Sequence, residues 1–332
     1  DKWRSIRLIR ADDDCEISYC IIKNSEQVGR YNNPDSRGGA IYGSDCDDLV
    51  VSHNVFCYNS APGEGGAACF YNCTGEFSNN HVYDNYGFTE IVWFEASDMP
   101  VLNNVVERNV GDHGAGIFIA ETSQLVAGNI IRFNESTVMQ WGAALYFAYG
   151  SRSRVYNNLI YGNISGAIYL GVDCRITDFD HNVIFDNSEG PAITLFGRSH
   201  LEINNSVIWG HNRALWMPDD GNSMEAQYSL VEDYEDEEIE LGEGMIDANP
   251  RFIDPDEGNF RLAHNSPCID SGDPDSPRDP NGTRADIGLV RFNFNELAVD
   301  DQTNGRQIAP DEYNLSAPYP NPFNDRSQIT FS

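Results

Sequence analysis

Lysine is almost missing from this chain: among its 332 residues, only Lys2 and Lys23 carry an ammonium group. Fifty-two acidic residues stand against 21 basic ones, a net charge of −31. A surface that negative is repelled by nucleic acid and by anionic membranes, so neither is an expected partner. Two readings of the acidity compete: carboxylates gathered for divalent cations, or a general adaptation to high salt, which the scarcity of lysine favours. No apolar run reaches 18 residues, so no helix is expected to span a membrane. No CxxC pair occurs, which argues against zinc. A phosphate loop, a serine-nucleophile motif and an EF-hand ligand order are also absent. No recognisable leader precedes the first β-like run (Ile6, Leu8, Ile17, Ile21), and the start at Asp1 reads as that of a processed or excised chain.

What is present is a repeat, from about residue 38 to 217. One asparagine column runs Asn54, Asn80, Asn104, Asn129, Asn158, Asn182, at separations of 26, 24, 25, 29 and 24 residues. A second follows five residues behind: Asn59, Asn85, Asn109, Asn134, Asn163, Asn187. Units this short, rich in β-branched residues and without helical periodicity, suit single coils of a solenoid. Each coil is expected to hold two strands. The first carries V-x-x-N-x-[VI], with Phe56, Val82, Val106, Ile131, Ile160 and Ile184 pointing inward. The second reads small, aliphatic, aromatic, as in Ala144-Leu145-Tyr146.

Strand side chains alternate between faces. The aliphatic column (Ile41, Cys69, Val92, Ile117, Leu145, Ile168, Ile193, Leu215) therefore marks the core, and the opposite face shows small residues beside an aromatic ridge. The ridge is read as Tyr42, Phe70, Trp93, Phe118, Tyr146, Tyr169, Thr194 and Trp216. Seven aromatics in eight places are not what a solvated face accumulates by chance, so the ridge is the candidate ligand-binding face. Self-stacking that stabilises the coil is the competing reading. Six of the eight cysteines (Cys15, Cys20, Cys46, Cys57, Cys69, Cys73) lie in the first 73 residues, and disulfides stapling these coils are expected.

This pattern resembles the right-handed parallel β-helix of the pectate-lyase-like superfamily, over roughly residues 15 to 290. The resemblance implies an all-β fold with stacked asparagine amides in its turns. It also raises extracellular polysaccharide as a partner. A lyase of that superfamily would need calcium-binding carboxylates with an arginine or lysine base, a hydrolase several aspartates on one strand face. The weak catalytic candidates are Asp47 and Asp48 of Asp45-Cys46-Asp47-Asp48, and Asp112 and His113 of Gly111-Asp112-His113-Gly114. The last resembles a Gly-His-Gly element of the polygalacturonase branch, but the aspartate pair expected with it is missing. Asp12-Asp13-Asp14 adds carboxylates near the N-terminus. A non-catalytic role is the leading expectation, with a polysaccharide lyase or hydrolase and a self-assembling surface protein as alternatives.

After an acidic break (Asp219 to Glu243), Asn249-Pro250-Arg251-Phe252 through Asp286-Ile287-Gly288 looks like the terminal coil and cap of secreted bacterial β-helix proteins. Asp273, Asp275, Asp279 and Asp286 concentrate oxygen ligands there: calcium is one reading, ordinary turn chemistry the other. The chain thus divides into a β-helix with its cap (1–290), a polar linker (291–314) and a tail (315–332). In the tail, Tyr319-Pro320-Asn321-Pro322-Phe323-Asn324 resembles the opening of the C-terminal sorting domain of type IX secretion substrates. That resemblance implies export by a Bacteroidetes-like bacterium, with secretion machinery as a partner and a secreted or cell-surface address.

Overall fold

The computed structural model describes residues 3–11, 15–30, 33–137, 144–233 and 239–290. The sorting motif, the linker, Asp12-Asp13-Asp14 and the acidic run 234–238 lie outside these residues. The described chain winds into a parallel β-solenoid with three long sheets. Sheet 1 stacks nine strands, from Ile6–Ile9 and Ile41–Ser44 through Val92–Glu95 and Ile117–Ala120 to Leu215–Trp216. Sheet 2 stacks ten, including Leu49–Ser52 and Gly75–Ser78, and sheet 3 stacks nine, including Val55–Cys57 and His81–Tyr83. A short sheet 4 (Ser60–Ala61, Tyr86–Gly87, Val110–Gly111, Glu135–Ser136) closes one edge.

Each coil therefore has three strands or more, where two were expected. The asparagine-bearing strand is really two strands bent at its first asparagine, because the preceding residue takes a left-handed conformation: His53, Asn79, Asn103, Gly128, Asn157 and His181 have φ between +53° and +68°. A non-glycine residue there costs about 1–2 kcal/mol, and the asparagine beside it offsets the cost. Asn104 shows how. Its Oδ1 accepts from the backbone N–H of Asn80 (2.9 Å) and from the Asn80 amide (3.1 Å). Its Nδ2 donates to Phe77 O (3.0 Å) and Asn129 Oδ1 (3.0 Å). All four bonding positions of the amide are used, and the side chain is fully buried. The same bonds recur from Asn54 to Asn158, and Ser206 and Ser229 extend the column beyond Asn182. A second ladder runs from Asn59 to Asn187 at the next corner.

Inside, the coils stack Phe56, Phe70, Phe77, Phe94 and Phe147 with Val, Ile and Leu columns into one apolar core. The small residues beside the ridge are part of it rather than an open floor: Ala40, Ala67 and Ala167 are fully buried. The residues expected as a cap fold back along the flank. Phe252–Asp254 and Asn259–Leu262 form an antiparallel pair. Phe260 packs on Tyr161 and Phe185, with ring centroids 4.7 and 5.3 Å away. Val290 N–H donates to Asn157 Oδ1, and Gly288 O pairs with His181 Nδ1. The flank invites this cover because Leu159, Val183 and Val207 on its outer face are apolar and need burying.

No disulfide joins any of the eight cysteines in this structure. Most stand in different columns, with Cys57 on the outer face of sheet 3 beside Tyr83 and Cys69 on the outer face of sheet 1. Side chains on different faces cannot meet the narrow geometry of a disulfide.

Candidate functional site

Register decides what the outer face of sheet 1 displays. Its column runs Arg7, Tyr42, Cys69, Trp93, Phe118, Tyr146, Tyr169, Thr194, Trp216. Phe70 is corrected out of the ridge: it pairs with Gly43 and Phe94, points inward and is fully buried. In Ala67-Ala68-Cys69-Phe70 an alanine, Ala68, fills the place held by Ile41 and Val92 in the neighbouring coils, and a shift of one residue exchanges the faces. Cys69, expected in the inward aliphatic column, is corrected to the ridge position.

The ridge is a stack. Trp93 and Phe118 lie parallel with centroids 3.6 Å apart, Phe118 meets Tyr146 edge-on at 5.1 Å, and Tyr146 meets Tyr169 at 4.7 Å. At the N-terminal end the Arg7 guanidinium sits 4.1 Å over the Tyr42 ring. Stacking buries Tyr42, Phe118 and Tyr169, and leaves Trp93, Tyr146 and Trp216 partly open to solvent. Trp93 Nε1 donates to Glu95 Oε2 at 3.1 Å, which fixes the indole.

Carboxylates that sequence reasoning passed over stand beside this stack. Glu64, from the loop after Ser60–Ala61, is gripped by Arg37, with Nε to Oε2 at 2.7 Å and Nη2 to Oε1 at 3.3 Å. Glu90, just before the Val92–Glu95 strand, is 2% exposed. Burial, with the Glu64 charge adding to it, raises its carboxyl to about 7. Glu90 in turn helps push the Tyr146 hydroxyl up, after burial and Tyr169. Room for Glu90 comes from Gly114, where a Cβ would fall 2.7 Å from Glu90 Cγ. Two neighbouring carboxyls thus face opposite environments: one is ion-paired with an arginine, the other desolvated. Such a division separates an acid from a base. The available signal was positional, since Glu90 stands between Gly66 and Ala115 in a column that reads Gly39, Gly66 and Ala115 in the neighbouring coils.

The named candidates fall elsewhere. Asp47 and Asp48 are exposed in the corner between sheets 1 and 2, at the other end of the strands from Glu64 and Glu90. Asp112 accepts from Thr137 Oγ1 (2.9 Å) and Tyr86 Oη (3.3 Å), and His113 meets Phe88 edge-on at 5.1 Å. These bonds tie one loop to the next along the edge. Of the calcium candidates, Asp279 and Asp286 converge with Asp270, their carboxylate oxygens within 4.8 Å of one another. Burial and the two neighbouring charges raise the Asp286 carboxyl. Calcium takes six to eight oxygens, so the trio fits part of such a shell. Asp273 is used otherwise, accepting from the Asp275 N–H and the Asn204 amide.

A pocket of about 240 Å3 lies away from the ridge, on the outer face of sheet 2, lined by Asp178, Asp180, Glu202, Glu225 and Glu240 among others. Glu202, Glu225 and Glu240 stand in register on adjacent strands. Like charges in that arrangement repel one another, and the pocket's one aromatic, Phe179, is buried as part of the core. The ridge combines aromatic faces with carboxyls of opposed environment and is the stronger candidate.

A protein-family model, that of the right handed beta helix region, matches residues 4–143 and 125–229. The chain belongs to that β-helix family. No curated protein and no solved structure matches it. Membership accounts for the coil and its parallel stacking, but a fold does not by itself name a chemistry. In this β-helix the site must be argued from Trp93, Tyr146, Glu64, Glu90 and Arg37 themselves.

Proposed function

We propose that the protein works outside the cell as a β-helix whose sheet 1 face contacts extended polysaccharide without cleaving it. The observation that carries this reading is the ordered aromatic stack with Trp93, Tyr146 and Trp216 partly open on one face. Aromatic faces stack on the apolar faces of sugar rings, and successive coils repeat at about 4.8 Å, which suits a long polymer better than a small molecule. The resemblance of Tyr319-Pro320-Asn321-Pro322-Phe323-Asn324 to a sorting motif supports export. The test is retention in native gels containing a panel of acidic and neutral polysaccharides. Retention by at least one polymer, lost in Trp93→Ala and Tyr146→Ala, is expected. Migration unchanged by every polymer refutes the reading, and large particles formed without sugar replace it with self-assembly.

One observation favours a second reading, hydrolysis. Glu90, raised by burial to about 7, holds its proton close to neutral pH, and beside it Glu64 is paired with Arg37, so a buried acid stands next to an ion-paired carboxylate. Shortening of any polymer in the panel, abolished by Glu90→Gln, selects this reading over the first.

A further inference from the structure

Among the eight thiols, two stand apart. Cys46 and Cys73 occupy equivalent places in neighbouring coils, each two residues beyond the end of a sheet 1 strand (Ile41–Ser44 and Ala68–Tyr71). The coils are joined at this point by Thr74 N–H donating to Cys46 O at 2.9 Å. Both thiols are buried in the apolar core, and the neighbouring Cys46 thiol adds to the upward push that burial gives Cys73. Equivalent residues on adjacent parallel strands lie about 4.8 Å apart between Cα atoms, inside the 4.4–6.8 Å range that a disulfide spans. Cys15 lies near Cys46 electrostatically, but it belongs to a different place in the coil: Val50 N–H donates to Cys15 O, one strand further on.

We propose that Cys46 and Cys73 are a disulfide-forming pair that staples two consecutive coils at the corner between sheets 1 and 2. Oxidation joins the two sulfurs. The two thiol protons and two electrons pass to a disulfide oxidant such as oxidised glutathione, which is cleaved to two glutathione thiols. Burial raises the Cys73 thiol and so suppresses its reactive thiolate in the folded protein. The link is therefore made as the coils assemble, before the corner closes. Serine is compatible with the corner, because Ser97 fills the equivalent place one coil on and donates its Oγ to Glu95 O at 3.0 Å.

The experiment is refolding of the full chain in a mixture of reduced and oxidised glutathione. Free thiols are then alkylated under denaturing conditions and the digest is mapped by mass spectrometry. One cross-linked peptide pair containing Cys46 and Cys73 is expected, with the other six cysteines alkylated. The refolded protein should melt several degrees higher than the same sample treated with a reductant. Cys73→Ser and Cys46→Ser should fold to the same circular dichroism spectrum and lose that reductant-dependent shift. A link between Cys15 and Cys46, a link between any other two cysteines, or eight alkylated thiols would each overturn the proposal.

Discussion

The corners between sheets 2 and 3 and the outer face of sheet 1 are built from the same coils on opposite principles. At the corners, one residue type repeats through six coils and every polar atom of its side chain is used. On sheet 1 the column changes at each step, from Arg7 to Tyr42, Cys69, Trp93, Phe118 and Tyr146. Its carboxyls are held in unequal states, Glu64 paired and Glu90 desolvated. A repeated residue with no spare bonding capacity signals structure. A varied column with partly exposed aromatics and a buried carboxyl free to titrate near neutrality is where a ligand can be met.

The sharpest break of the comparison is at the corner. Asn104→Ala leaves the backbone N–H of Asn80 and the carbonyl of Phe77 without their buried partners. Each such loss costs about 1–3 kcal/mol, so a fall of about 4 kcal/mol in unfolding free energy is expected from urea titration. Next comes Glu90. Its carboxyl titrates near 4.5 in the unfolded chain and at about 7 in the fold. The folded state therefore holds the proton longer, and stability is lost as pH rises from 4.5 to 7 and stays lost above. That gap is worth about 3 kcal/mol. Glu90→Gln should raise the urea midpoint at pH 8 and leave it unchanged at pH 4; a gain equal at both pH values would show that the charge is not the cause.

A smaller effect belongs to the ridge. Trp93→Ala removes a partly open ring that can stack on a sugar, and is expected to weaken polymer retention about two- to tenfold, taking about 0.5–1.5 kcal/mol for a ring stacking contact. Thr194, in the same column, should tolerate alanine with no change in retention. Smallest of all, Asp47→Asn and Asp48→Asn touch exposed corner residues and should alter stability by less than about 0.5 kcal/mol, with retention unchanged.

Much of the fold was legible because its period is written in residues that serve the backbone. Asn54 to Asn182 mark a corner in every coil, and the inward column from Phe56 to Ile184 marks the core. The corner itself was not legible: a left-handed His53 or Asn79 looks like any polar residue inside a strand, and two strands therefore read as one. Phe70 was misplaced for a related reason. Its neighbours Ala67 and Ala68 are interchangeable by type, and only hydrogen-bond register between coils separates inside from outside.

The amino-acid order by itself determined a parallel β coil, its asparagine ladders and its acidic, lysine-poor surface. These follow from short-range spacing and from residue chemistry that repeats every 24 to 29 positions. Tertiary structure alone decided that Glu64, from one coil, meets Arg37 from another while Glu90 lies near Glu64 in a dry place. It also decided that Cys46 and Cys73 share a corner, and that Phe252 and Phe260 return to cover the flank. Burial and charge at a point depend on what other coils bring there, and no window along the chain contains that sum.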